Sequence, residues 1–445
     1  MQAKKRKVIV IGGGAAGMMA AAAAASAGSA VTLYEKNEKC GKKIYITGKG
    51  RCNLTNNCAK DQFLEQVCSN RRFLYSALEN WDSSDTIRFF EENGTKVKTE
   101  RGNRVFPVSD HASDVTAALL RCLNRLDVSV HLNRKVKGLI LKSGSSKQEN
   151  GKEEKTAAAV GVELENGAID HADAVIVATG GLSYPSTGSD GDGFKFAREA
   201  GLKVVSCRPS LVPMETEGSD AQRMQGLSLR NVRVRFRDGR KILFDEFGEM
   251  MFTHFGVSGP LILSASAAVG RKLAEKKLTL EIDLKSALTP EQLEERILRE
   301  FLEASNKKIA NVAGKLYPAK MIPVMLERCG IGPDTPVRDI TKAQRRAMVE
   351  NTKRFELMVS GLRGYNEAVI TAGGVSVKEV RPDTMECKNI SGLFFAGEVL
   401  DLDARTGGFN LQIAWTTGHA AGSAAGTGTL SEKDQSHERG ERKWE

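Results

Sequence analysis

The first thirty-five residues constrain the fold of this chain more than any other stretch. Val8-Ile9-Val10-Ile11 is a short apolar run, and Gly12-Gly13-Gly14-Ala15-Ala16-Gly17 is a glycine turn. An alanine-rich helical pattern follows to Gly28, and Val31-Thr32-Leu33-Tyr34-Glu35 is a second apolar run closed by an acid. Strand, glycine turn, helix and strand in that order predict a parallel α/β sheet, and G-x-G-x-x-G in that context is a dinucleotide-binding fingerprint.

Each part has a physical task. Gly12 permits the tight turn, Gly14 lets the backbone approach a pyrophosphate, and Gly17 lets the helix lie close on the strand. Free N–H groups at the helix start face the two phosphates. Small side chains at Ala15 and Ala16 keep that surface open. Glu35 stands where a carboxylate accepts hydrogen bonds from an adenosine ribose and repels a 2′-phosphate, so the expected cofactor is FAD or NAD rather than NADP.

At 445 residues the chain exceeds what one hydrophobic core usually serves, and two or three domains are expected. The net charge of +10 raises the question of nucleic acid, but Lys and Arg are spread along the chain beside Asp and Glu. No nucleic-acid partner is expected on that ground. Lys4-Lys5-Arg6-Lys7 precedes only a four-residue apolar run, which does not make a signal peptide, and Ala20 to Ala25 is too short to span a bilayer. The eight cysteines show neither C-x-x-C nor zinc spacing with histidine, so reduced cytoplasmic thiols, no metal and no membrane are expected.

The segment Lys39 to Asn56 mixes glycine, cations and small polar residues directly after the ribose acid. A loop so placed can follow the pyrophosphate towards a flavin ring, where Lys43, Arg51 and backbone N–H groups meet negative charge. Asp61 to Glu92 and Asp114 to Leu126 have helical periodicity, and Val128 to Leu132 and Val136 to Leu141 alternate as strands. Lys142 to Thr156 is polar and reads as an exposed hairpin tip or a disordered insert. Ala174 to Val177 then leads into Thr179-Gly180-Gly181, where the backbone returns to the dinucleotide.

After Gly201 the pattern changes. Val232 to Phe236 and Leu278 to Leu284 alternate with period two, as half-buried strands of an antiparallel sheet or barrel do. Thr289-Pro290 opens a capped helix, and Ala310 to Cys329 and Lys342 to Asn351 are further helical patterns. Two apolar strands then return, and Gly407-Gly408 precedes an alanine-rich helix whose positive end can stabilise a reduced flavin. The expected organisation is a first part of an FAD-binding domain over 1–201, an inserted substrate or lid region over 202–354, the second part over 355–430, and a tail over 431–445.

The pieces GGGAAG, YEK, CGKKIYITGKGRCNLTN, VATGGLSYPSTGSDGDG, FTHFGVSGP, TAGGV and FFAGEVLDLDARTGGFNLQIAWTTG, in this order, resemble the bacterial FAD flavoproteins described as NAD(FAD)-utilising dehydrogenases or aminoacetone oxidase-like proteins. These lie within the glutathione-reductase-like superfamily. The resemblance implies an α/β fold, a discontinuous Rossmann-like FAD-binding domain with an inserted β-barrel-like and helical domain. It assigns Gly12, Gly14, Ala16, Gly17, Glu35, Lys36 and Val136 to the adenosine and pyrophosphate. Gly48, Arg51, Cys52 and Asn53, with Thr179, Gly180, Gly397 and Glu398, would line the pyrophosphate, ribityl chain or ring, and Asn410, Leu411 and Gln412 the pyrimidine edge.

A flavin disulfide reductase needs paired cysteines near the ribose acid at C-x4-C spacing, and Cys40, Cys52 and Cys58 do not provide it. A second glycine fingerprint for NADPH is also absent, because Gly188 to Gly193 follows no strand. NADH or NADPH would serve only as a transient electron donor. For proton transfer or carbonyl binding the candidates are His254, Arg405 and Tyr184. The expected activity is an FAD-dependent oxidoreductase passing hydride between flavin N5 and a small or medium organic molecule. A flavin-dependent RNA-modifying protein and a non-catalytic FAD sensor are the alternatives.

Overall fold

The computed structural model describes residues 5–143 and 157–428. Most of the polar insert and the charged tail expected from the sequence lie outside these residues. The chain divides into two compact units, 1–208 with 370–445, and 209–369.

The strands of the first unit are β1 (Lys7–Ile11), β2 (Ala30–Tyr34), β3 (Thr55–Asn56), β4 (Val97–Glu100), β5 (Arg104–Pro107), β6 (Ser129–His131), β7 (Val136–Ser143), β8 (Ala157–Leu164), β9 (Ile169–His171) and β10 (Ala174–Val177). Next comes β11 (Val204–Ser210), at the edge of the insertion. The second unit carries β12 (Met214–Thr216), β13 (Ser228–Asp238), β14 (Lys241–Phe252), β15 (Gly256–Ser258), β16 (Leu278–Asp283) and β17 (Phe355–Leu362). The chain then returns through β18 (Ile370–Val375), β19 (Ile390–Ser391) and β20 (Leu393–Phe395).

The central sheet of the first unit has the order β20-β10-β1-β2-β6, with every neighbouring pair parallel. Its strands are continuous apolar runs because both faces are covered, and Val8, Ile9 and Val10 are fully buried. One cover is a contact between the first helix, Ala15–Ser26, and the last, Phe409–Thr427. Neither has side-chain bulk along the seam. A Cβ added at Gly418 or Gly422 would lie 2.4 or 2.2 Å from the carbonyl oxygen of Ala16 or Ala20, so the two backbones touch.

The second unit is a closed antiparallel barrel, β12-β15-β14-β13-β16-β17, with helices at Pro260–Leu273, Pro290–Leu302 and Lys342–Lys353. Alternation sorts its side chains: Val232, Val234 and Phe236 of β13 point inward, while Arg233, Arg235 and Arg237 face out onto Asp245 and Glu281.

Three sequence expectations shift. Phe355–Leu362 was placed with the returning FAD-binding domain, but its alternating Phe355, Leu357 and Val359 close the barrel against β16 and β12. The units accordingly divide at 208/209 and 369/370 rather than 201/202 and 354/355. Asp61 to Glu92 is not one helical run, because left-handed Asn70 breaks it and Asp82 caps a new helix with a reciprocal Asp85 contact. Ala310 to Cys329 is also broken, with Pro318 capping a short turn before the helix Ile322–Arg328.

Candidate dinucleotide and active site

The site is built at the carboxyl ends of the parallel strands. Strand order runs from β1 through β2 to β6 on one side and from β10 to β20 on the other, so β1 and β10 flank the switch point where such sheets bind ligands. Gly12 leaves β1 at φ +104, and a Cβ there would lie 2.6 Å from the Ala178 carbonyl oxygen at the end of β10. A Cβ on Gly17 would lie 1.8 Å from Gly12 O, which fixes the helix against its own turn. Gly14, the N-cap of that helix, has no side-chain cap, and a Cβ there would meet nothing within 4 Å. An uncapped helix end opening on free space is what a bound diphosphate needs.

Glu35 is buried and folded back onto this turn. Its carboxylate accepts from Gly13 N at 2.7 Å, Asn37 N at 2.8 Å and Asn37 Nδ2 at 2.7 Å. Gly13, whose role the spacing alone did not reveal, also sits where a Cβ would strike Cys40 Sγ at 2.6 Å. Ala16 serves packing rather than an open surface: a Cβ on Gly397 would lie 2.6 Å from its Cβ. Ala15 is half-buried, and Val136 is buried at the start of β7.

The loop after the acid is strained. Gly48, Lys49, Gly50 and Cys52 all have positive φ, two of them non-glycine residues held in a costly conformation. Beyond them Asn53 Oδ1 is buried with no hydrogen-bond partner, and so is Thr179 Oγ1 at the end of β10. Buried acceptors are seldom left unpaired, so these two mark where an absent group would bind. The last helix adds a second end without a side-chain cap: its N-cap Gly408, at φ +96, lies so close to the chain before it that a Cβ there would be 2.4 Å from Thr55 O.

Several predicted cofactor side chains are engaged within the protein instead. Arg51, expected on the pyrophosphate, donates to Glu100 at 2.5 Å and to Asp110 at 2.5 and 2.9 Å, and lies 4.1 Å from the Phe106 ring centre. Lys43 donates to Ser183 Oγ and Glu398 Oε2, both at 2.6 Å. Glu398 also accepts from Ser183 Oγ at 2.6 Å and Thr371 N at 2.8 Å, beside Gly181. Lys36 bridges Asp190 at 2.5 Å and Asp192 at 2.8 Å; partial burial would lower its pKa, but the two carboxylates hold it above the lysine norm. These acids sit far along the chain, so one-dimensional spacing did not pair them.

The last helix is corrected in the same way. Gln412 is fully buried, accepting from Thr55 Oγ1 at 2.6 Å and donating to Thr416 Oγ1 at 3.0 Å. Asn410 ties down the preceding segment, accepting from Ala404 N at 2.9 Å and donating to Ala404 O at 2.8 Å. Leu411 is half-buried against the core. The backbone N–H groups of this helix end, rather than its amide side chains, are left to meet a ligand.

Burial raises the Cys40 thiol to about 12, with Glu35 adding to the effect, and raises Cys52 to about 12 despite a hydrogen bond to Thr47. Both are protonated at neutral pH. Of the proton-transfer candidates, Tyr184 is left-handed at φ 51 before Pro185, and among the described residues its hydroxyl has no hydrogen-bond partner. Arg405 lies in the same unit; its N–H donates to Gln66 O at 2.9 Å, and its guanidinium reaches the Cys68 thiol. His254 belongs to the second unit, exposed in the turn between β14 and β15 against Phe255.

Residues 6–424 match the family described as HI0933-like protein Rossmann domain. The chain belongs to the HI0933-like family. As the resemblance noted above implied, it is an FAD-dependent oxidoreductase of that family. It is 32% identical to a 3-dehydro-bile acid delta(4,6)-reductase of Clostridium scindens, covering 89% of this chain and 92% of that protein. It is 30% identical to a ribosomal RNA dihydrouridine synthase of Haemophilus influenzae, covering 88% and 92%. In fold it is similar to 3-ketosteroid delta1-dehydrogenase from Sterolibacterium denitrificans, with TM-score 0.52, 15% identity, and 95% and 100% of the two chains covered. Among the described residues no helix of this HI0933-like chain is long and apolar enough to cross a membrane.

Proposed function

We propose that this chain reduces a carbon–carbon double bond conjugated to a carbonyl, using FAD as the hydride carrier and NADH or NADPH as the transient donor. The observation that carries the reading is a dinucleotide cradle with orphaned acceptors at Asn53 and Thr179, beside cysteines too buried to act as thiolates. Electrons therefore have no dithiol route and pass directly to a substrate. The relatives' names narrow the acceptor: reduction of delta(4,6) double bonds in a 3-dehydro-bile acid and conversion of uridine to dihydrouridine both add hydrogen across a double bond conjugated to a carbonyl.

Bound FAD supplies two-electron transfer from N5. Gly14 leaves room for its diphosphate while Gly12 and Gly17 hold the turn tight, and the Glu35 carboxylate keeps acceptor capacity for the ribose. Asn53 and Thr179 gain the partners they lack. Reduction of a conjugated double bond places negative charge on the carbonyl oxygen and requires one proton at carbon. Arg405 holds that oxygen, and Tyr184 delivers the proton.

The test begins with the absorbance spectrum of the purified protein, then anaerobic reduction by NADH and NADPH. A uridine-containing RNA or a 4-ene-3-oxo steroid should reoxidise the flavin and be recovered saturated. Reoxidation by neither would overturn the reading. Tyr184→Phe should lower kcat, whereas His254→Gln should leave it unchanged.

A further inference from the structure

The turn joining β4 to β5, Arg101-Gly102-Asn103, and the following Arg104 are all exposed. Gly102 and Asn103 have φ 76 and 59, the left-handed pair of a tight hairpin turn. It is tied to the cofactor end of the unit by one side chain. Asn56 Nδ2 donates to Gly102 O at 3.0 Å and to Gly407 O at 2.9 Å, the residue before the cap of the last helix. Asn57 N adds a bond to Asn103 O at 2.7 Å. β3, which pairs with β5 through Thr55↔Val105 and Asn56↔Arg104, follows directly from the strained loop at 48–52.

Charge on this hairpin is one-sided. Arg51 and Lys98 are matched by Glu100 and Asp110. Arg101, Arg104 and the exposed Lys49 have no carboxylate within ion-pair distance among the described residues. Arg104 is held over Phe106, 5.8 Å from the ring centre, with its Nε donating to Arg101 O at 3.0 Å. The same ring carries Arg51 and stands 3.5 Å from a Cβ placed on Gly48, so hairpin and cofactor loop share one support. The arginine row of β13 is the instructive contrast. It is richer in sequence, yet Asp245 and Glu281 neutralise it.

We propose that the β4–β5 hairpin is a phosphate grip: Arg101, Arg104 and Lys49 hold the backbone of an RNA whose unpaired base is presented to the flavin. This rests on the reading above and names its substrate class. Unpaired bases in loops are the form in which RNA offers a ring to a pocket, and guanidinium groups beside that pocket supply the sequence-independent contacts. The expectation drawn from charge spread alone, that nucleic acid is no partner, overlooked that unpaired cations count and paired ones do not.

The experiment uses the full flavin-loaded protein and a fluorescein-labelled stem–loop RNA with a uridine-rich loop, titrated by anisotropy across a salt series. Arg101→Gln/Arg104→Gln should weaken binding about tenfold or more and reduce the slope of log affinity on log salt by roughly 1.4, as for two phosphate contacts on a single strand. Arg101→Lys/Arg104→Lys should keep the slope, and Arg233→Gln should change nothing. Flavin content and reduction by NADPH should be unaltered in all. Equal affinity and slope in wild type and the double Gln variant would overturn the proposal. So would a wild type that binds this RNA without salt dependence while saturating a 4-ene-3-oxo steroid. Failure of the flavin to reoxidise with any conjugated acceptor would instead sink the reading beneath it, since the binding titration is read independently.

Discussion

The two units keep water from their sheets with opposite materials. In the first, a parallel sheet buried on both faces is covered by helices whose seam is glycine and alanine, so backbone meets backbone. In the second, strands alternate, the barrel interior is filled by residues such as Phe236, Phe252 and Phe355, and the outside is laced with ion pairs. The difference teaches where each unit is vulnerable. The flavin unit should fail when atoms are added, and the barrel when side chains or charges are removed.

The largest effect expected from this contrast is at the helix seam. Gly422→Val would place carbon atoms within 2.2 Å of the Ala20 carbonyl oxygen, and neither helix can withdraw without breaking its cover of the sheet. A loss of at least about 3 kcal/mol is expected, with flavin released on purification. The same purification should return a barrel that still melts as a unit. A variant that keeps both flavin and wild-type melting temperature would end the comparison.

Glu281 sharpens the other side. Its side chain is 6% exposed and takes Arg235 at 2.9 Å and Arg237 and Arg354 at 3.0 Å. Glu281→Gln leaves three guanidinium groups facing one another, and about 2 kcal/mol of barrel stability should go. Burial alone would raise this carboxyl, but Arg235 and Arg237 and the charge of Arg354 hold it below the usual carboxylate value. Its stabilisation is therefore full above the unfolded value near 4.5 and is lost as pH falls through the lower folded value. Acid melts should show the wild type losing stability in that window and the Gln variant already without it. Parallel acid curves would reject the network.

Asn53 and Gln412 were both assigned to the cofactor on motif alone, and they should now separate. Asn53 Oδ1 has no partner in the protein, so Asn53→Ala should leave the flavin-free protein within about 0.5 kcal/mol while weakening FAD about tenfold. Gln412→Ala should do the reverse, costing about 1–2 kcal/mol of stability by stranding the Thr55 hydroxyl, while Thr416 keeps its bond to Trp81 O. Fluorescence titration of FAD and melting of the flavin-free protein read the two effects independently.

That split marks what the sequence could carry. Periodicity and the Gly12–Gly17 spacing are local signals, and they placed the parallel strands, the barrel strands around Val232 and Leu278 and the glycine turn after β1, because each depends on residues a few positions apart. Side-chain partners are not local. Lys43 finds Glu398, Arg51 finds Glu100 and Asp110, and Lys36 finds Asp190 only once distant strands are side by side. A cation in a glycine loop looks alike from sequence whether it awaits a phosphate or already holds a carboxylate. The glycine stripe of the last helix was visible as letters, but its meaning required the facing alanines.

The smallest effect returns to the flavin unit and the half-buried titratable ring on its last helix. His419 stacks on Trp81, with ring centres 4.1 Å apart and planes at 24°. Burial pushes its pKa below the ordinary 6.5, with only the charge of Asp85 pulling the other way. The folded protein thus prefers it neutral, while the unfolded chain takes up a proton near 6.5, so stability is full above that value and declines as pH falls below it. Between pH 7.5 and 5.5 the loss should be no more than about 1.4 kcal/mol, confined to the transition that releases flavin. His419→Asn gives up the stacking and lowers stability at both pH values, yet should flatten the slope between them. A slope unchanged by the substitution would mean that the ring is not held neutral, and that the flavin unit, like the barrel, is limited by its surface charges over this range.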